Sequence, residues 1–206
     1  MLPNYELTGD GVIHQITAQS AVSYNRDYIN QRYDAYGIKN DQISHLRLGY
    51  IIGTLGFVPS SILDVGYGNG AFLKAAKNIV EKCYGYDISS YPLPDGCEFA
   101  PLTQFAQVYT FYDSLEHFTD IDFVKDLPCN YCVISLPWCH YPNDTWFTNW
   151  KHRRPDEHLW HFDHKSLQRF MYRMGFQLMD YTNIEDVVRR GVEGEANILT
   201  GIFQRV

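Results

Sequence analysis

Apolar positions follow two rhythms along this chain, and the change comes near residue 60. Before it they are sparse. Residues 1–19 are polar with little periodicity and read as a surface wrap. From Ser20 to Tyr36, Tyr24, Tyr28 and Tyr36 alternate with polar residues, which predicts an amphipathic helix ended at Gly37. Asp41 can cap a second helix carrying Ile43, Leu46, Tyr50 and Ile51. After Pro59 short solid runs take over. Ser61 to Val65 reads as a buried strand, and Phe72, Ala75, Ala76 and Ile79 mark a helix behind it. Cys83 to Ile88 is a second strand, Cys97 to Phe99 a short third, and Val108 to Tyr112 a fourth. Thr119 or Asp120 can cap a helix through Ile121, Val124 and Leu127, stopped by Pro128. Tyr131 to Leu136 is a strand apolar enough for a sheet covered on both faces. Residues 137–162 read as irregular. Asp163 then caps a helix with Leu167, Phe170, Met171 and Met174 on one face and Gly175 at its end. Phe176 to Tyr181 and Asn197 to Gln204 are the last strands, and no convincing helix lies between them, so they can pair antiparallel. Strand–helix alternation of this kind implies an α/β fold on a mostly parallel sheet.

Composition narrows the classes. The 206 residues suit one domain, and 45% apolar content supports a packed core. The net charge of −7 repels phosphate backbones, so nucleic acid is not an expected partner. No apolar run approaches a membrane span, and the first residues lack the basic and apolar regions of a secretory signal. Five cysteines, an odd number, fit reduced thiols in a cytoplasm. Cys129 and Cys132 form a C-x-x-C, but Cys132 falls in a buried strand, which favours apolar packing over a metal.

The chemistry concentrates in Asp64-x-Gly66-x-Gly68-x-Gly70, set between a strand and a helix, with Asp87 ending the next strand. Glycines let a backbone turn tightly against a ligand, and a carboxylate placed like Asp87 can accept from both ribose hydroxyls. Gly66, Gly68 and Ala71 also satisfy a dinucleotide fingerprint. Against that, Asp64 would set a negative charge beside a pyrophosphate, and the chain leaves little room for a substrate domain. A nicotinamide-dependent reductase is therefore the second reading, and a binding or assembly protein that keeps the pocket without turnover is the third.

Ile62 to Gly70 resembles the first motif of class I S-adenosylmethionine-dependent methyltransferases. Asp113-Ser114-Leu115-Glu116-His117 resembles the D-x-L-E-H of the small-molecule branch containing the ubiquinone-biosynthesis O-methyltransferases. His161-Phe162-Asp163-His164-Lys165-Ser166-Leu167 through Gly175-Phe176 resembles that branch's late helix and strand. The resemblance implies a Rossmann-like seven-stranded sheet, order 3-2-1-4-5-7-6, strand 7 antiparallel, with helices on both faces. It also implies S-adenosylmethionine as cofactor. Asp64, Gly66, Tyr67, Gly68 and Gly70 would surround its methionine part, and Asp87 would hold the ribose. Ile88 would pack on adenine, and Phe111, Asp113 and Ser114 would sit near the methionine end. Residues 60–206 form the methyltransferase core on this reading, with residues 1–59 a helical extension covering the cofactor. The sequence departs from the pattern between Asp87 and Val108, where the usual helix before strand 3 is missing or reduced to a turn.

Residues 138–162 follow a strand whose C-terminal end should face the cofactor, so they read as an acceptor-site insertion. Trp138, His140, Arg153, Arg154 and His158 are its candidate contacts to a small-molecule acceptor, and Arg153 and Arg154 could hold an anionic group. The same residues could instead pack a satellite core, with the arginines paired to Asp156 and Glu157. His158-x-x-His161-x-x-His164 has ligand-like residue types but no known zinc spacing, and no metal is assigned. If the acceptor is a hydroxyl, His117 or His161 is the group to take its proton.

Overall fold

The computed structural model describes residues 2–16, 24–27, 30, 38–192 and 194–206. Most of the helix expected over residues 20–36 lies outside them. The described chain begins with β1 (Tyr5–Leu7) and β2 (Ile13–Gln15), then α1 (Ile38–Leu55), β3 (Ser61–Val65), α2 (Ala71–Ala76), β4 (Lys82–Tyr86), β5 (Glu98–Phe99) and β6 (Val108–Tyr112). It continues with β7 (Tyr131–Pro137), α3 (Asp144–Asn149), β8 (Trp160–His161), α4 (His164–Arg173), β9 (Phe176–Thr182) and β10 (Ile198–Arg205).

Seven strands form the main sheet in the order β5-β4-β3-β6-β7-β10-β9. All pairs are parallel except those of β10, which runs antiparallel to β7 and β9. This is the order and polarity expected from the sequence. Strand side chains alternate between faces. Ile62, Val108, Val133 and Ile202 therefore meet Leu48 and Ile51 of α1 and Phe72 and Leu73 of α2. Leu63, Val65, Tyr109 and Ile134 meet Leu167, Phe170 and Met171 of α4 on the other face. Cys129 and Cys132 pack in that second layer. Residues 87–97 contain no helix, so the short β5 follows β4 through turns.

Several local expectations change. Residues 5–15 are more than a surface wrap, since Tyr5, Val12 and Ile13 are buried, and the N-terminal segment is not purely helical. β1 and β2 form a hairpin, and β2 pairs with β8 through Ile13 and His161, His14 and Trp160. Strands of three residues are too short to show a period in the sequence. The segment 137–162 is also ordered, with Asn143 capping α3 by accepting from the Trp146 N–H at 2.9 Å. The helix expected after Asp120 is only a 3-10 turn over Asp122–Asp126. Pro128 leaves too few residues there to offset helix nucleation. α2 ends at Ala76, and Ile79 lies exposed beyond it.

Candidate active site

A cavity of about 220 Å³ opens at the C-terminal ends of β3, β4 and β6. That is the switch point where the chain leaves β3 toward β4 on one side and β6 arrives on the other. Asp64, Gly66, Tyr67, Gly68, Asp87, Ile88, Asp113 and Ser114 line it, together with Tyr112, His117 and Arg189. Asn40, Ile43, Ser44 and Arg47 bring α1 over it.

The glycine turn is held by its surroundings. Gly66 has φ of 76°, and a Cβ there would lie 2.6 Å from Ser114 Cβ. The Ser114 hydroxyl donates to Val65 O at 2.7 Å, which locks the turn to the segment after β6. Asp87 Oδ2 accepts from Gly68 N–H at 2.9 Å and Oδ1 from Ser89 N–H at 2.7 Å. Ile88 is 71% exposed beside this carboxylate, a large apolar side chain left at the cavity rim. Asp64 is buried and accepts from the Thr110 hydroxyl at 2.7 Å. Burial pushes its carboxyl up to about 7, against the opposing Thr110 hydrogen bond and the Arg47 charge.

A buried ion network closes the floor. Arg47 donates to both Glu185 oxygens at 2.8 and 2.9 Å and to Asp113 at 3.2 Å. Arg189 grips Asp113 in a bidentate pair at 2.7 and 2.8 Å and reaches Glu185 at 2.9 Å. Burial opposes the charge on Glu185, but the two guanidiniums outweigh it and hold the carboxyl below the usual carboxylate range. Asp113 itself has φ of 53°, a left-handed conformation that Asp tolerates better than most residues. Arg47, Glu185, Arg189 and Tyr112 were not singled out from the sequence. Glu185 and Arg189 stand at helical i,i+4 spacing, the one local signal available, and nothing local connects them to Arg47 or Asp113.

Two expected cofactor contacts do not line the cavity. Phe111 points the other way, into the layer under α4, because it is out of phase with Asp64 across the β3–β6 pairing. Tyr112, one residue on, takes the cavity side. Gly70 shapes the turn from behind, packed against Pro94.

The acceptor-loop expectations change more. Trp138 stacks on His140, and the His140 ring donates to Ala196 O at 2.7 Å. Arg153 lies 5.5 Å over the Tyr5 ring, and Arg154 pairs with Glu157 at 2.9 Å. None of the four lines the cavity. His161 does not line it either. Its ring sits edge-on to Phe147 at 5.0 Å and to Trp150 at 5.7 Å, in a satellite core with Tyr5 and Ile13. Burial pushes His161 down to about 3, with Arg153 adding to the shift. The loop packs against the N-terminal hairpin.

His117 alone of the two expected proton acceptors reaches the cavity. Its Nδ1 lies 2.7 Å from Glu157 O and 2.9 Å from the Tyr24 hydroxyl. His158 meets it edge-on at 4.8 Å. The spacing 158, 161, 164 does not assemble a site, since His164 stacks on Tyr181. His158 instead joins Glu116 and His117, and one ligand atom from each lies within 4.8 Å of the others.

The sheet order, the cavity at its switch point and the acid ending β4 define a class I methyltransferase fold. A methyltransferase-domain family model matches residues 42–181, and the chain belongs to that family. It is an S-adenosylmethionine-dependent methyltransferase, which removes the reductase reading. No curated protein sequence matches it. Among solved structures, it is similar to a Burkholderia thailandensis 1,6-didemethyltoxoflavin-N1-methyltransferase with bound 1,6-didemethyltoxoflavin and S-adenosylhomocysteine. There the identity is 11% and the TM-score 0.63, over 98% of this chain and 99% of the other. It is also similar to magnesium protoporphyrin IX methyltransferase from Synechocystis with bound S-adenosylhomocysteine. That match has 14% identity and a TM-score of 0.61, over 89% and 96% of the two chains. At such identities the likeness is one of fold. No helix among the described residues is long and apolar enough to cross a membrane.

Proposed function

We propose that the chain methylates an oxygen of a small-molecule acceptor seated beside His117. The observation that carries this reading is the convergence of Asp64, the Gly66–Gly70 turn, Asp87 and His117 on one cavity. The donor set fits S-adenosylmethionine. Asp87 offers a carboxylate to a ribose diol, Ile88 an apolar surface to adenine, and Asp64 and Asp113 a negative environment to the amino group and sulfonium. The cofactor supplies a methyl group ready for in-line displacement, so the protein's task is alignment, which can be worth ~7–11 kcal/mol. α1 shields the cavity, and Arg47 ties that helix to the floor. His117 is the group placed to act on an acceptor hydroxyl. The D-x-L-E-H segment that carries it supports a place near the small-molecule branch with the ubiquinone-biosynthesis O-methyltransferases. The five free cysteines suit a reducing compartment, which supports a cytoplasmic enzyme.

The test is calorimetry with S-adenosylmethionine and S-adenosylhomocysteine, followed by transfer of labelled methyl to a panel of phenols, alcohols, amines and thiols. Binding of both ligands and label only on hydroxylated acceptors is the expected result. Label on amines or thiols alone would remove the oxygen acceptor. No heat with either ligand would remove the cofactor site.

A further inference from the structure

Two thiols that the chemistry above does not use face each other beside the cofactor cavity. In the parallel β4–β5 ladder Tyr84 pairs with Glu98 and Gly85 with Phe99. One step back along both strands sets Cys83 opposite Cys97. Neighbouring strands lie roughly 4.8 Å apart, within the roughly 4.4–6.8 Å between Cα atoms that a disulfide needs. Both side chains enter the apolar layer under α2 that holds Leu73 and Ala76. There the two thiols share a side-chain hydrogen bond, and Cys97 Sγ lies 3.9 Å from Leu73 O. Cys83 is buried, whereas Cys97 is partly exposed. Burial pushes both thiols up, and at Cys97 the Lys77 charge opposes the rise. Cys129 and Cys132, by contrast, are both buried on the other face of the sheet. The segment between Cys83 and Cys97 carries Asp87 and Ile88 at the cavity. It is tied to the glycine turn and to α2. Asp87 accepts from Gly68 N–H, the Tyr67 hydroxyl donates to Tyr91 O, and Lys77 donates to Asp95 O at 2.6 Å.

We infer that Cys83 and Cys97 are a redox modification site, joined into a disulfide by hydrogen peroxide and released by a dithiol. The Cys97 thiolate attacks one peroxide oxygen and the O–O bond breaks. The other oxygen leaves as water, and Cys97 becomes a sulfenic acid. The Cys83 sulfur then attacks the Cys97 sulfur, the S–O bond breaks, and a second water takes up the Cys83 proton. The two thiols together lose two electrons, and one peroxide is reduced to two waters. In a reducing compartment such a bond is transient, the form in which disulfides there act as sensors. β5 is a two-residue strand at the edge of the sheet, so little resists its drawing toward β4. The bond ties together the two ends of segment 84–96. Asp87 and Ile88 then have less freedom to lose on binding, so oxidation tightens the cofactor and slows release of its product. This consequence rests on the reading of Asp87 and Ile88 as cofactor contacts, and the disulfide itself does not.

The test uses the full chain, reduced with dithiothreitol and then exposed to hydrogen peroxide. After alkylation, peptide mass mapping should find Cys83 linked to Cys97, with Cys129, Cys132 and Cys139 still free thiols. Dithiothreitol should return all five to the free state. Calorimetry should show S-adenosylhomocysteine binding the oxidised chain roughly 3–10-fold more tightly than the reduced one. Cys97→Ser should bind it as the reduced parent does under either treatment. The mapping uses the unmutated chain, so it decides even if that variant does not fold. Cys83 and Cys97 recovered as free thiols or as separate sulfinic acids, or Cys97 linked to a second copy of the chain, overturns the pair. A link that leaves the affinity equal in the two states keeps the modification site and removes its hold on the cofactor. A link in a chain that gives no heat with S-adenosylhomocysteine in either state would keep the disulfide and remove the reading of Asp87 and Ile88.

Discussion

Two regions of this molecule are rich in aromatic and histidine side chains, and they do opposite things with them. At the ends of β3, β4 and β6, backbone turns and carboxylates hold a cavity open. Around β1, β2, β8 and α3, Tyr5, Phe147, Trp150 and His161 close on one another. Composition does not separate the two. What separates them is the presence of strand ends. A parallel sheet whose strand order reverses leaves a crevice there by topology, whereas around the three short antiparallel strands Tyr5, Ile13 and Phe147 fill the layer toward α3. The same residue type then has two fates. His117 stands at the crevice, and His161, 44 positions on in the chain, is a buried neutral imidazole.

The sharpest way to break this contrast is to remove each histidine in turn. His117→Ala should lower methyl transfer by roughly 10²–10⁴-fold with cofactor affinity within a few-fold. His161→Ala should leave the turnover of the folded enzyme within a few-fold of the parent. Steady-state kinetics on both variants decides. Equal losses in the two would show that the satellite core reaches the chemistry after all.

Phe147→Ala probes the closed region from the packing side. Emptying a fully buried phenylalanine site should cost about 3–5 kcal/mol of stability. Denaturant melts would show it, and cofactor affinity below the melting range should not follow. Asp87→Ala probes the open region. Loss of a charged hydrogen-bond acceptor, at about 1.5–3 kcal/mol, should weaken S-adenosylmethionine binding by roughly 10–100-fold. Calorimetry would reveal the change, and a thermal midpoint near that of the parent would show that it is local.

The smallest effect is on pH. The Asp64 carboxyl is held up near 7 by burial, so it carries its charge only above that range. Binding of the cationic cofactor should therefore weaken several-fold as pH falls from about 8 to about 6, and Asp64→Asn should flatten the profile. In the other region the sign concerns stability. His161 is depressed to about 3, below its ordinary 6.5, so the unfolded chain takes up a proton first as pH falls. Stability is lost between about 6.5 and about 3, and His161→Phe should remove that component from an acid melt.

Much of the open region was legible in the residues. Asp64, the three glycines, Asp87 and the segment from Asp113 to His117 are contiguous or fixed by strand ends, so short motifs expose them. Phe111 was misplaced by one residue, since pleat direction depends on pairing register, which a five-residue apolar run does not reveal. Arg47, Glu185 and Arg189 were invisible for a different reason. Their partners lie up to 138 positions away in the chain, and only the packing of α1 against the turn before β10 joins them. The basic pair Arg153 and Arg154 was legible as a cluster but not as to where it faces.

Local periodicity in the sequence determined an α/β fold on a mostly parallel sheet, the family resemblance implied the strand order, and glycine placement and strand ends located the cofactor end of the site. Tertiary structure decided which histidines meet the cavity and that segment 138–162 packs on the N-terminal hairpin. It also brought His158 to Glu116 and His117. Each of these outcomes depends on which distant segment pairs with which. A pairing of strands only two or three residues long, such as β1, β2 and β8, is stabilised mainly by burial shared among all of them, and so leaves no signature in any one.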